Sequence, residues 1–149
     1  MSNSVLNMSS GSGTTKGYVL PAGQGLPQHP DEPGIKASAV STGGSLTLIE
    51  STLTSAPPRH VHDREDESFY VLDGSLTAYC GADVLPAGKG SFVFLPRGVP
   101  HHFTIDSGRV TVLLIATPGG IEDYFREISA APDATARQAV QDSYGIHRA

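Results

Sequence analysis

Turn signals divide the stretch from Ile35 to Ala116 into short runs. They are Thr42-Gly43-Gly44, Pro57-Pro58, Asp73-Gly74, Gly81, Gly88-Lys89-Gly90, Arg97-Gly98 and Ser107-Gly108. The runs between them are mostly shorter than an ordinary helix of about eleven residues. They are rich in Val, Leu, Ile, Phe, Tyr and Thr, the residues that suit a pleated surface. Strands are therefore expected over 35–40, 45–54, 67–72, 75–79, 91–95, 101–105 and 109–116. Many short strands at this spacing predict an all-β sandwich or barrel. Asp73-Gly74, lying between two of the runs, predicts a hairpin.

Both flanks read differently. Residues 1–16 are Ser-, Gly-, Thr- and Asn-rich and predict a disordered N-terminal tail. After Pro118-Gly119-Gly120, the apolar residues Ile121, Tyr124, Phe125 and Ile128 recur at helical spacing. That predicts a short helix over 121–128 with acidic residues in its first turn. A second helix is expected over about 133–144, with Asp133 as N-cap and Gly145 at the C′ position. The expected organisation is a tail (1–16), a barrel with the first C-terminal helix (17–128) and a C-terminal helical tail (129–149).

Composition excludes several classes of function. The 149 residues fit one domain, and the net charge of −5 argues against a nucleic-acid partner. No apolar run approaches the roughly 20 residues needed to span a bilayer, and no secretory signal opens the chain, so no membrane partner is expected. The single cysteine, Cys80, cannot form an internal disulfide and reads as a small half-buried hydrophobe; a cytoplasmic setting is the default expectation.

The chemistry-bearing residues are histidines and one carboxylate. His60 and His62 are one residue apart, so on a strand both imidazoles address the same point. Glu67 opens the run ESFYVL, sharing a strand face with Phe69 and Val71, while Tyr70 takes the other face. His101-His102-Phe103 offers a further imidazole; strand alternation allows only one of the two histidines to face the site, and Phe103 shares the face of His101. Three imidazoles and one carboxylate suit a divalent metal with positions left open. Glu67 lies in the charged run Asp63-Arg64-Glu65-Asp66-Glu67, which also reads as a solvated loop, and on that reading it is no more special than Glu65 or Asp66.

The order of these residues resembles a known family. H60-V-H62-D-R-E-D-E67-S-F-Y-V-L-D-G74 resembles the first cupin motif, HxH, then Glu after four residues, then Gly after six more. G90-S-F-V-F-L-P96-R-G98-V-P-H101 resembles the second. With Tyr18-Val19-Leu20 and Thr117-Pro118-Gly119-Gly120, the resemblance is to small single-domain cupins described as quercetin 2,3-dioxygenase-like. Two positions depart from the pattern: Thr54 stands where the first motif opens with Gly, and Ile105 where the second often closes with Asn.

The resemblance implies a cupin-type jelly-roll β-barrel with one or two short C-terminal helices. It implies one divalent transition metal per chain (Fe, Ni, Co, Mn, Cu or Zn) held by His60, His62, Glu67 and His101. Glu67 is also the expected catalytic base, and Phe69, Val71 and Phe103 the expected substrate pocket. The expected activity is that of a metal-dependent oxidoreductase, a dioxygenase acting on a flavonol-like or other enolisable aromatic small molecule. The alternatives are a metal-dependent isomerase, cyclase or lyase, or a non-catalytic small-molecule-binding barrel. A homodimer is expected because small barrels leave open sheet edges.

Overall fold

The computed structural model describes residues 15–149, so the tail expected over 1–16 lies outside the described residues up to position 14. The strands are β1 (Ile35–Ala37), β2 (Thr47–Leu53), β3 (His60–His62), β4 (Asp66–Asp73), β5 (Leu76–Cys80), β6 (Asp83–Ala87), β7 (Phe92–Leu95), β8 (His101–Ile105) and β9 (Val110–Thr117). Helices α1 (Ile121–Ala130) and α2 (Ala134–Tyr144) follow, and a last strand, β10 (Ile146–Arg148), closes the order.

The strands form two five-stranded sheets, ordered β1-β2-β9-β4-β7 and β10-β3-β8-β5-β6. All pairings are antiparallel. The two sheets pack as a jelly roll, with the core between them. Phe69 and Val71 of β4, Val93 and Leu95 of β7 and Val112, Leu114 and Ala116 of β9 meet Leu76, Ala78 and Phe103 from the second sheet. Strand alternation decides which apolar residues take part. On β7 it turns Val93 and Leu95 inward and leaves Phe92 and Phe94 61% and 50% exposed. Tyr70 pairs with both Phe92 and Leu113 on that outer face.

The hairpin expected at Asp73-Gly74 is not formed. β4 pairs with β7 and β9, whereas β5 pairs with β6 and β8, so the turn carries the chain from one sheet to the other. A register shift between Val71 and Asp73 interrupts the ladder to β9 just before the turn. Gly74 has φ 80°, and a Cβ there would meet the Arg109 carbonyl oxygen at 2.5 Å. The glycine thus serves a corner with close backbone approach rather than a hairpin loop. The hairpin actually formed joins β5 to β6, where Cys80 pairs with Asp83 across Gly81-Ala82.

Helix α1 lacks a side-chain cap at Gly120. It is tied to the barrel by the buried Glu122, whose Oε1 accepts from the Ala39 N–H at 2.8 Å and whose Oε2 accepts from the Gly120 N–H at 3.1 Å and from the Thr47 hydroxyl. Helix α2 has its expected limits: Asp133 accepts from the Ala136 N–H at 2.8 Å, and Gly145 stops the helix at φ 66°. Strand β10 has no counterpart in the sequence-based expectation, which ended the chain in a helical tail. It pairs with β3 along the edge of the second sheet.

Candidate metal centre

The three residues of β3 are flanked by Pro57-Pro58 on one side and the Asp63-Arg64 turn on the other. On so short a strand, His60 and His62 fall on the inward face and Val61 on the outward face. β8 lies beside β3, with His101 directly opposite His60. Alternation then buries His101 to 1% exposure and turns His102 outward, where it stacks on Tyr79 at 4.6 Å. Glu67 comes from β4 in the opposite sheet. The site thus draws its donors from both layers of the barrel.

The four side chains converge through their outer atoms. His60 Nε2 and His62 Nε2 are 3.0 Å apart, and Glu67 Oε2 lies 2.9 Å from His62 Nε2 and 3.7 Å from His101 Nε2. One ligating atom from each residue fits within a mutual separation of 4.8 Å. The inner nitrogens are all engaged elsewhere: His60 Nδ1–H donates to Pro58 O at 2.9 Å, His62 Nδ1–H to Glu65 Oε1 at 2.5 Å and His101 Nδ1–H to Val99 O at 3.3 Å. The Nε2 atoms are thereby left aimed at one another. His101 Nε2 is fully buried with no hydrogen-bond partner. A buried polar atom without a partner is strongly disfavoured, and an ion at the convergence point would satisfy it. Imidazole nitrogen and carboxylate oxygen are an established donor set for divalent transition metals, so the residues present fit such an ion.

Electrostatics follow from the same contacts. Burial by itself would push Glu67 up, but the neighbouring imidazoles of His101 and His62 hold its carboxyl at about 2. Burial would likewise lower His62, but Glu65 and Glu67 together hold it up at about 9. His60, whose main influence is burial, is lowered. Glu67 is therefore an ionised carboxylate at neutral pH, sitting against an imidazole that binds a proton tightly when no ion competes for it.

Two further contacts hold the frame. Asp66 accepts from the Arg97 backbone N–H at 2.9 Å and from its guanidinium at 3.2 Å, joining the strand of Glu67 to the loop that precedes His101. The Gly98 N–H donates to His62 O at 2.8 Å. On the other edge, β10 places Ile146 opposite His62 and Arg148 opposite His60. Gly145 O accepts from the Asp63 N–H at 2.8 Å, and His147 Nε2 sits 2.6 Å from Asp63 Oδ2.

The structure brings His60, His62, Glu67 and His101 together. It places Phe69, Val71 and Phe103 inside the barrel core, with the Phe69 and Phe103 rings edge-to-face at 5.3 Å. Sequence reasoning missed Glu65, which stands among charged neighbours with nothing to mark it. It also assigned His147 no role. The only available signal for Glu65 was its position three residues after His62, within reach of that ring.

Residues 52–117 match the family model described as Cupin domain. The matched stretch, somewhat under half of the chain, is similar to a cupin domain. A quercetin 2,3-dioxygenase of Bacillus subtilis (strain 168) is 26% identical over 115 residues, covering 74% of this chain and 34% of that protein. The chain therefore spans about a third of the length of the curated relative it matches. Among solved structures, KdgF from Halomonas sp. superposes with a TM-score of 0.52 at 18% identity, over 62% of this chain and 87% of the other. Pac13 of Streptomyces, described as a nucleoside dehydratase, gives a TM-score of 0.47 at 20% identity, over 54% of this chain and 65% of its own. The matched stretch holds all four candidate donors, and α1, α2 and β10 lie beyond its end.

Proposed function

We propose that this chain is a metal-dependent cupin enzyme, with His60, His62, Glu67 and His101 holding one divalent transition metal. The observation that carries the reading is the convergence of four donors from both sheets on one point, with His101 Nε2 buried and unpartnered. Its reaction is a dioxygenation of an electron-rich, enolisable aromatic molecule. The likeness to a quercetin 2,3-dioxygenase supports that choice. Phe69 and Val71 follow Glu67 on the inward face of β4, and Phe103 follows His101 on β8; all three are buried in the core, so a substrate would reach them only as the site opens around it.

A bound ion supplies a Lewis acid for a substrate oxygen and, when redox-active, a centre for oxygen chemistry. The chain's own part is proton handling and orientation. Glu67, ionised and turned into the site, takes the proton from the substrate hydroxyl at Oε2. The imidazoles are fixed through their Nδ1 atoms and do not need to reorient as substrate arrives. The buried surroundings exclude water from the transfer.

A second reading uses the same residues without oxygen, as an isomerase, cyclase or lyase. The ionised Glu67 favours it equally, because proton transfer at that carboxylate suffices for such a reaction. The experiment is metal content per chain by mass spectrometry, on protein purified without an affinity tag or chelators. His60→Ala and His101→Ala are each expected to lose most of the metal, and His102→Ala to retain it. Equal loss in His101→Ala and His102→Ala would refute the ligand assignment. Oxygen uptake with flavonols and other enolisable aromatics then separates the two reactions. Zinc as the sole metal, with no oxygen consumed, favours the second. Glu67→Gln is expected to keep part of the metal and lose turnover.

A further inference from the structure

The three histidines of the centre are not held alike. His60 and His101 donate their Nδ1 protons to neutral backbone carbonyls, at 2.9 and 3.3 Å. His62 donates to a carboxylate at 2.5 Å. Glu65, the acceptor, is itself buried to 9% exposure. In the acidic run that contains it, Asp63 faces outward to His147 and Asp66 is taken by Arg97. Glu65 and Glu67 alone in that run are buried, and they hold opposite nitrogens of a single imidazole. The chain on both sides of Glu65 is pinned, by the Asp63 N–H donating to Gly145 O and by the Asp66 carboxylate accepting from the Arg97 N–H. Its carboxylate is thus delivered to His62 by a turn with little freedom to move.

We propose that Glu65 is a positioning residue of the metal centre, setting His62 in the tautomer that presents Nε2 and making that nitrogen a stronger donor than those of His60 and His101. The proposal rests on the metal reading above. Its physical basis is general: a carboxylate accepting from the remote N–H of a ligating imidazole fixes the ring and raises its basicity. A second negative charge beside a divalent ion also offsets the cation's remaining charge in a buried site, where an uncompensated charge is expensive.

The test compares Glu65→Gln and Glu65→Ala with the wild-type chain, using cobalt(II) and zinc(II) as probes. Glu65→Gln keeps an oxygen acceptor but removes the charge, and its near-identical shape protects against misfolding. Affinity is read by competition with a chromophoric chelator, and geometry by the visible absorption of the cobalt form. Expected are one ion per chain in each variant, a weakening of about 10–100-fold in Glu65→Ala and a smaller loss in Glu65→Gln. A shifted cobalt spectrum is expected in both. Wild-type affinity and an unchanged spectrum in both variants would overturn the role of Glu65 while leaving the metal centre standing. A lowered melting temperature of the metal-free variants with unchanged affinity would reduce Glu65 to a brace of its turn, and would also overturn it. Failure of the wild-type chain to bind either ion would bring down the metal reading itself.

Discussion

Glu67 and Glu122 are both buried carboxylates, and they are held by different kinds of partner. Glu67 faces imidazoles, which can exchange a proton with it or give way to a cation. Glu122 faces the N–H groups of Ala39 and Gly120 and the Thr47 hydroxyl, donors that stay in place at any pH. The first arrangement can respond to a proton or a cation, and the second is fixed. Glu122→Ala removes the acceptor of the Ala39 N–H and the Thr47 hydroxyl, while the Gly120 N–H keeps Thr47 Oγ1 at 2.9 Å. It is expected to destabilise the fold by about 3 kcal/mol in urea titrations, since orphaned buried donors keep their desolvation penalty. Metal content per folded chain should not change. From the sequence, Glu122 reads only as an acidic residue in a helix's first turn, complementing the dipole. Its real partners lie 83 and 75 residues away, and no local pattern announces them. The cluster of candidate donors was more legible. His60, His62 and Glu67 are close in sequence, and the spacing leading to His101 completes a two-part pattern. Glu65 was not legible, because burial alone separates it from Asp63 and Asp66.

Among elements, strands with regular alternation were readable and those without it were not. β6 contains Pro86, which cannot donate to a ladder and argues against a strand. The strand survives because it is the edge of its sheet, paired only with β5. β10 offers three residues with one buried side chain, too few for any period to show. Yet β10 bears on the site, since its only partner is the strand that carries His60 and His62. Deleting residues 146–149 strips that strand of its outer neighbour and exposes Ile146's place in the core. The expected result is a lower melting temperature and a metal affinity reduced about tenfold or more, the scale seen when the support of a ligand is lost. Chelator competition on the folded, truncated chain measures it. Unchanged affinity would show that β3 is held sufficiently by β8 and its flanking turns.

The whole molecule is a two-layer barrel whose helices lie after the strands rather than among them. That order was plain in the sequence, because the apolar period changes from two to helical after Thr117. The path between layers was not. Asp73-Gly74 carries the residues of a tight hairpin, but the partners of β4 and β5 lie in different sheets, and only the folded core decides that. The helical layer also sets a response to alkali. Tyr144 packs against Tyr124 at 5.5 Å, and burial, aided by the carboxylate of Glu127, pushes its phenol up to about 12 from 10. A raised folded value means stability that is fully present below the unfolded value and lost as pH rises through the folded one. Thermal midpoints should therefore hold up to pH 10 and decline between pH 10 and about 12. The decline should be shallower in Tyr144→Phe, whose ring has no proton to lose.

The pairing of β3 with β8 has a consequence of another kind. Those strands meet through one register pair, His60 with His101, whereas β8 and β5 meet through five. The second sheet is therefore narrowest where the candidate ligands sit. β10 and β3 form one bank of that seam, and β8, β5 and β6 form the other. An ion gripped by His60 and His62 on one side and by His101 on the other would rivet the two banks together, and Glu67 would fasten both to the opposite layer. Occupancy would then be a mechanical property of the barrel as well as a chemical one. A species that binds only the folded chain shifts the balance toward it, and here the added cohesion would fall on the seam that backbone pairing leaves thinnest.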